Sequence, residues 1–371
     1  MSARKIHITL MLLFLATFNL TAQQKEGRHI ETDTLLIRKK IQLLGVPLVF
    51  YTPETDFGFG LGAQIFLLNQ TNIYNSRLSN IFISGIYTTK NQLMLEARPQ
   101  LYFNAGNLFL DGYLKYRVFP NSFWGIGNFS PDDALEEYNM KTYKIVAALL
   151  KRLPPTLNFG IEYNYENHTM LEVAEGGLLA AGDIAGSEGA IVSGLSIVFN
   201  LDTRDNVNST VKGALIQMKS GFSSRVFGAT YSFNKYTLDL RKYFKHLANN
   251  TIALQFYGES TYGTVPFQSM AWLGGGEKMR GYFNGRYMDK SMYVLQGEYR
   301  ARFHPRWTAA GFGAIGEVAD FPLSFFENPK ISFGGGIRFK ILKNNPTVIR
   351  LDIGFDKNGK SGMYFGVNEA F

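Results

Sequence analysis

An arginine set among small and aromatic residues, Met279-Arg280-Gly281-Tyr282, lies within the stretch 272-WLGGGEKMRGYFNGRYMDKS-291. A guanidinium carries five donors in a fixed fork, and away from bulk water it requires a carboxylate, best gripped by two bonds. Two acids follow downstream, Glu298 in QGEYR and Glu317 in GFGAIGEVAD. Alternation along a strand turns Glu298 to the same side as Arg300, but Glu317 to the other side unless a bulge intervenes. Gly274, Gly275, Gly276 and Gly281 permit tight backbone turns around the arginine. A second charged group, Asp202, Arg204 and Asp205 ahead of Gly213, reads as a capped, salt-bridged turn at a strand end. Other chemistry is poorly supplied. His7, His29, His168, His246 and His304 lack ligand spacing with Cys or Glu, no Gly-x-Ser-x-Gly elbow occurs, and GGGEK lacks the spacing of a phosphate loop. No catalytic, cofactor-binding or metal-binding residues are expected, and the chain does not read as an enzyme.

The elements that must carry these residues are strands. In Tyr293 to His304, one face holds Tyr293, Leu295, Gly297, Tyr299, Ala301 and Phe303. The other holds Gln296, Glu298, Arg300, Arg302 and His304. The same period of two separates Ile349, Leu351, Ile353 and Phe355 from Arg350, Asp352 and Asp356. A soluble sandwich predicts alternating strands of about five or six residues. Runs of about ten or more, with charges on the polar face, instead suit a tilted strand crossing a bilayer around a wet or plugged lumen. Turn signals mark sixteen such strands: 45–53, 57–69, 78–88, 91–103, 107–119, 139–152, 156–168, 188–202, 212–224, 229–244, 249–261, 290–304, 307–319, 330–342, 346–356 and 361–371. The expected fold is therefore all-β, a 16-stranded antiparallel transmembrane barrel over residues 44–371, closed because lipid offers no partner to a free edge. Connectors alternate between short ones, such as 104–107 and 304–307, and long ones at 120–138, 169–187, 262–289 and 320–329. The stretch holding Arg280 is the connector between strands eleven and twelve.

Composition agrees. Aromatics make up 15% of the chain, yet after residue 22 no apolar run approaches the ~18 residues of a membrane helix. Residues 1–22 have the layout of a secretory signal peptide: basic Arg4 and Lys5, an apolar stretch from Ile8 to Leu20, and Ala22 before the cleavage point. Residues 23–43 form a short periplasmic lead-in. Export argues against nucleic acid as the partner of the +8 formal charge and favours lumen walls or lipid headgroups, including lipopolysaccharide. The ending GMYFGVNEAF places Phe365, Val367 and Phe371 on one alternating face and reads as a C-terminal sorting signal, with Glu369 on that face as a departure.

Four ordered motifs carry a resemblance. Met279-Arg280-Gly281-Tyr282 resembles the V-R-G-F/Y loop tip of the outer-membrane insertase superfamily, the BamA/TamA-type or bacterial surface antigen family. NLDTRDNVNSTVKG at 200–213 is similar to its D-T-R-D-N…G periplasmic turn. FWGIGN at 123–128 is similar to its third outer loop, and YTPETDFGFG at 51–60 to its opening hairpin. The resemblance covers nearly the whole mature chain. It implies a Gram-negative outer-membrane location and a loop folded into the lumen, with Arg280 anchored on strands twelve and thirteen. Glu298 fits the first anchor; Ala314 stands where the second acid belongs, which leaves Glu317, three residues on, as the candidate substitute. The chain as read lacks the polypeptide-transport-associated domains that usually precede such barrels. Two functions follow. One is insertion or translocation of client outer-membrane proteins through a weak seam between the first and last strands, where Pro47, Gly362 and Gly366 thin the hydrogen bonding. The other is a passive pore, or a scaffold among other envelope subunits.

Overall fold

The computed structural model describes residues 41–67, 79–153, 156–207, 209–247, 250–340 and 347–371. The signal peptide and residues 23–40 of the lead-in lie outside them. Sixteen strands form one closed antiparallel barrel: β1 (Ile41–Thr52), β2 (Asp56–Leu67), β3 (Ser79–Thr88), β4 (Leu93–Phe103), β5 (Leu108–Phe123), β6 (Glu136–Leu153), β7 (Leu157–Val173), β8 (Gly189–Asp202), β9 (Gly213–Ser223), β10 (Phe233–His246), β11 (Asn250–Gly263), β14 (Ser291–His304), β15 (Trp307–Ala319), β16 (Lys330–Lys340), β17 (Val348–Asp356) and β18 (Ser361–Val367). Between β11 and β14 a separate hairpin, β12 (Ala271–Leu273) with β13 (Tyr287–Asp289), lies off the wall. The barrel's twelfth strand is thus β14.

Alternation decides which way each side chain points. On β14, Gln296, Glu298 and Arg300 are buried toward the lumen, while Leu295, Tyr299 and Phe303 are exposed on the outside. The lumenal charges pair along the wall: Lys144 with Glu166 and Lys235 with Glu259 across neighbouring strands, and Lys219 of β9 with Glu162 of β7 over β8. The outside carries Leu61, Ile161, Ile197, Phe333 and Ile353, the apolar surface that a bilayer solvates.

Boundaries depart from the sequence expectation where one side loses its polar residues. β5, β6 and β7 run 16, 18 and 17 residues, so the connectors read as 120–138 and 169–187 shrink to 124–135 and 174–188. At that end the inner face is apolar: Phe123, Tyr138 and Met140 are buried in one cluster with Val192, Phe233, Val265, Phe267, Met270 and Met288. There the pattern inverts, with Ser122, Glu137, Asn139 and Lys141 on the outer face, so the apolar-out, polar-in alternation stops although the strands continue. At the other end of the chain, β1 starts at Ile41, taking in the last residues of the expected lead-in.

β18 is shorter than expected. It ends at Val367, and Asn368 adopts a left-handed φ of 68°. Met363 and Val367 do face outward, but the chain then turns inward, and Phe371 packs against Tyr243 and Ala253 inside the barrel. The face expected to unite Phe365, Val367 and Phe371 therefore stops at Val367. Glu369, out of place on a lipid face, sits among lumenal arginines.

Candidate functional site

The inserted segment 264–290 crosses the lumen at the long-loop end. Its root packs in the apolar cluster against β5, β6, β8 and β10, and its far part, Ala271, Leu273, Met279 and Tyr282, packs on Met292, Val294 and Val318 of β14 and β15. A helical turn at Gly275–Lys278 reverses the chain just before Arg280. Two glycines bring the tip against the wall. A Cβ on Gly281, whose φ is +116°, would lie 2.7 Å from the backbone of Phe355. One on Gly354 would lie 2.7 Å from the backbone of Arg280. Real Cβ atoms do not approach backbone so closely, so tip and wall meet here main chain to main chain.

Arg280 is 1% exposed. Its two terminal nitrogens reach different strands, donating to Glu298 at 2.7 Å and to Asp352 on β17 at 2.5 Å. The guanidinium lies over the Phe312 ring, 3.5 Å from its centroid. Arg338 joins the same two acids, Arg300 donates to the second oxygen of Glu298, and Arg350 touches Asp352 while donating to the Gly276 carbonyl. Tyr364 of β18 completes the seat: its hydroxyl accepts from the Gly281 amide at 3.0 Å and donates to the Tyr282 carbonyl at 3.1 Å.

Of the two partners expected for Arg280, Glu298 is in place and Glu317 is not. No bulge interrupts β15 between Ala314 and Ala319, so Glu317 stays on the opposite face. There it accepts from the amides of Phe326 and Asn328 and from the Asn128 side chain, organising the 320–329 loop. The second anchor is Asp352. Its inward orientation was legible in the sequence; its proximity to Arg280 was not, because that depends on where the loop crosses the lumen.

Two of the other motifs, at 123–128 and 51–60, converge on the same loop. Arg286 donates to Asp132 and to Ser130 of the 124–135 loop, between the rings of Tyr287 and Trp124. The Gly127 amide donates to the Met288 carbonyl, and Trp124 meets Phe283 edge-on. Glu54, in the turn after β1, accepts from the Asn284 amide at 2.7 Å. Asp132 also accepts from Lys360, and these hydrogen bonds from Lys360 and Arg286 hold its carboxyl below its usual range. At the short-turn end, Arg204 grips Asp202 through two nitrogens at 2.9 and 2.8 Å, and one Asp205 oxygen accepts from three amides, those of Asn206, Val211 and Lys212. Gly213 has a φ of +112°, and a Cβ there would meet the Thr203 carbonyl at 2.3 Å. These four residues build the turn itself. Among the described residues no group of three His, Cys, Asp or Glu side chains is placed to hold a metal ion.

A closed sixteen-stranded barrel with an apolar exterior, a charged lumen and an arginine-tipped loop docked inside defines an outer-membrane β-barrel of the kind that encloses its own plug. The match of residues 60–371 to the Omp85 superfamily domain places the chain in that superfamily. The fold is similar to that of BamA from Haemophilus ducreyi lacking POTRA domains 1–3, with a TM-score of 0.63 at 13% identity over 89% of this chain and 70% of that one. It is also similar to CdiB from Escherichia coli, with a TM-score of 0.59 at 11% identity over 90% of this chain and 63% of that one. CdiB from Acinetobacter baumannii gives 0.55 at 11% identity, over 89% of this chain and 60% of its own length. The chain thus spans less than two thirds of either CdiB. No curated protein matches it by sequence.

Proposed function

We propose that this barrel assists the insertion or translocation of proteins through a lateral seam between β1 and β18. One observation carries the reading. β1 pairs with β2 along its whole length, from Ile41 opposite Leu67 to Thr52 opposite Asp56, and β17 pairs with β18 from Ile349 opposite Val367 to Phe355 opposite Ser361. Between β1 and β18, among the described residues, a single pair is in register, Tyr51 opposite Phe365. Backbone groups in a bilayer are costly to leave unpaired, so this is the place where the wall opens at least expense and where an incoming strand gains most. Client outer-membrane proteins are the expected substrates, and membrane lipids and lipopolysaccharide the surroundings.

A scaffold role within an envelope complex is the second reading. The apolar cluster that roofs one side of the lumen favours it over a free pore, since ions would cross a dry layer there.

The chain has no cysteine, so a disulfide can be placed at will. The observed register makes Tyr51→Cys with Phe365→Cys the pair to lock. Folding of a client barrel into vesicles holding this protein, read by heat-modifiable gel mobility, is expected to stop on oxidation and return on reduction. Undiminished client folding with the seam locked would leave the scaffold reading standing, with co-purifying subunits as its mark.

A further inference from the structure

The segment Asn368–Phe371 occupies a formed site inside the lumen. After the left-handed turn at Asn368, whose amide donates to the Val348 carbonyl, Glu369 accepts from Arg338 at 3.1 Å and lies 3.6 Å from Arg300. A main-chain oxygen of Phe371 accepts from Arg300 at 3.0 Å, and the Phe371 ring packs beside Tyr243 and Ala253 with the Arg300 guanidinium 5.7 Å from its centroid. Every group of the site comes from the wall: Tyr243 from β10, Ala253 from β11, Arg300 from β14 and Arg338 from β16. The charge balance explains why an acid is required. Among side chains, the lumenal network holds four arginines, Arg280, Arg300, Arg338 and Arg350, against Glu298, Asp352 and Glu369. Without Glu369 the wall contributes two carboxylates to four guanidiniums, and Arg300 and Arg338 lose a partner in a place where an unmatched charge is costly.

We infer that Arg300, Arg338, Tyr243 and Ala253 form a peptide-binding site for a short segment with a carboxylate two residues before an aromatic ring, and that residues 368–371 are its built-in occupant. A segment of the same chemistry in trans competes for it. The tether gives the built-in segment an effective concentration of about millimolar, so an outside peptide takes the site only at that level or when the resident contacts are weakened. The inference does not rest on the seam, because the site lies in the lumen and binds whether or not β1 and β18 part.

The test uses the full chain, folded in detergent, and a synthetic fluorescent peptide with the sequence of residues 365–371. Glu369→Gln combined with Phe371→Ala in the protein is expected to tighten apparent peptide binding at least tenfold relative to the unaltered chain. Replacing the peptide's own glutamate by glutamine should weaken binding to that variant at least tenfold. A second measurement keeps the resident contacts intact. With Ala370→Cys as the sole cysteine, maleimide labelling should be slow, should speed up several-fold in millimolar peptide, and should not respond to the glutamine peptide. Equal binding to both proteins, equal binding of both peptides, or labelling unmoved by peptide each overturns the site.

Discussion

Arg280 draws on two strands at once, and that sets what its loss should do. Removing it leaves Glu298 and Asp352 to Arg338, Arg300 and Arg350, and frees the face of Phe312. Truncating one member of a buried ion network typically costs about 3–5 kcal/mol, so Arg280→Ala should lower the urea midpoint of the folded barrel markedly. Arg280→Lys keeps the charge but loses the fork and the ring stacking, and should recover only part of the loss. Asp352→Ala should resemble Arg280→Ala, and Trp272 in the same loop offers a fluorescence signal for all three. Glu317→Gln is the contrast: it should leave the tip docked and loosen only the 320–329 loop, visible as faster proteolysis there. Alternation made Glu298 and Asp352 legible as lumenal acids. It could not say which of them a loop from elsewhere in the chain would meet.

The inserted loop depends as an element on close backbone contact and on a clasp at its outer end. Gly354→Ala puts a methyl 2.7 Å from the Arg280 carbonyl carbon, and neither strand β17 nor the packed tip can yield easily. The expected outcome is an undocked segment, with tryptic cleavage after Lys278 or Arg286 in a barrel that still runs as folded on a gel. The clasp through Asp132 should be sensitive to pH. Its carboxyl titrates lower in the folded protein than when free, so its contribution is complete above the ordinary carboxylate range and disappears as pH falls through the depressed value. Protection factors in 124–135, which divide out the intrinsic pH dependence of amide exchange, should therefore fall on acidification toward pH 3, and Asp132→Asn should leave them low and nearly flat with pH. Trp124 to Asn128 and the turn at Glu54 resembled family motifs in the sequence. Their common task of receiving the loop emerged only when the chain closed on itself.

Across the whole molecule, stability should be uneven around the circumference. β6 and β7, at 18 and 17 residues, form the longest ladder, whereas β18 has seven residues and one register partner on β1. Amides of β18 and of the β1 edge should exchange at least tenfold faster than those of β6, measured by hydrogen–deuterium exchange in detergent. Locking Tyr51→Cys to Phe365→Cys should remove most of that difference, and a uniform exchange profile without the lock would contradict the uneven wall.

By itself the sequence determined the barrel, its sixteen strands, the inward side of those that carry Glu298 and Asp352, and the loop that carries Arg280. Those follow from a period of two and from turn residues, which are local. It missed the outer ends of β5, β6 and β7, where loops cover the lumenal side and the pattern inverts, apolar inward and polar outward. It also could not foresee Asp352 as the second anchor or the inward turn at Asn368 that carries Glu369 to Arg338. Such contacts join residues as distant in the chain as 280 and 352, and only closure of the cylinder sets how far apart their strands stand.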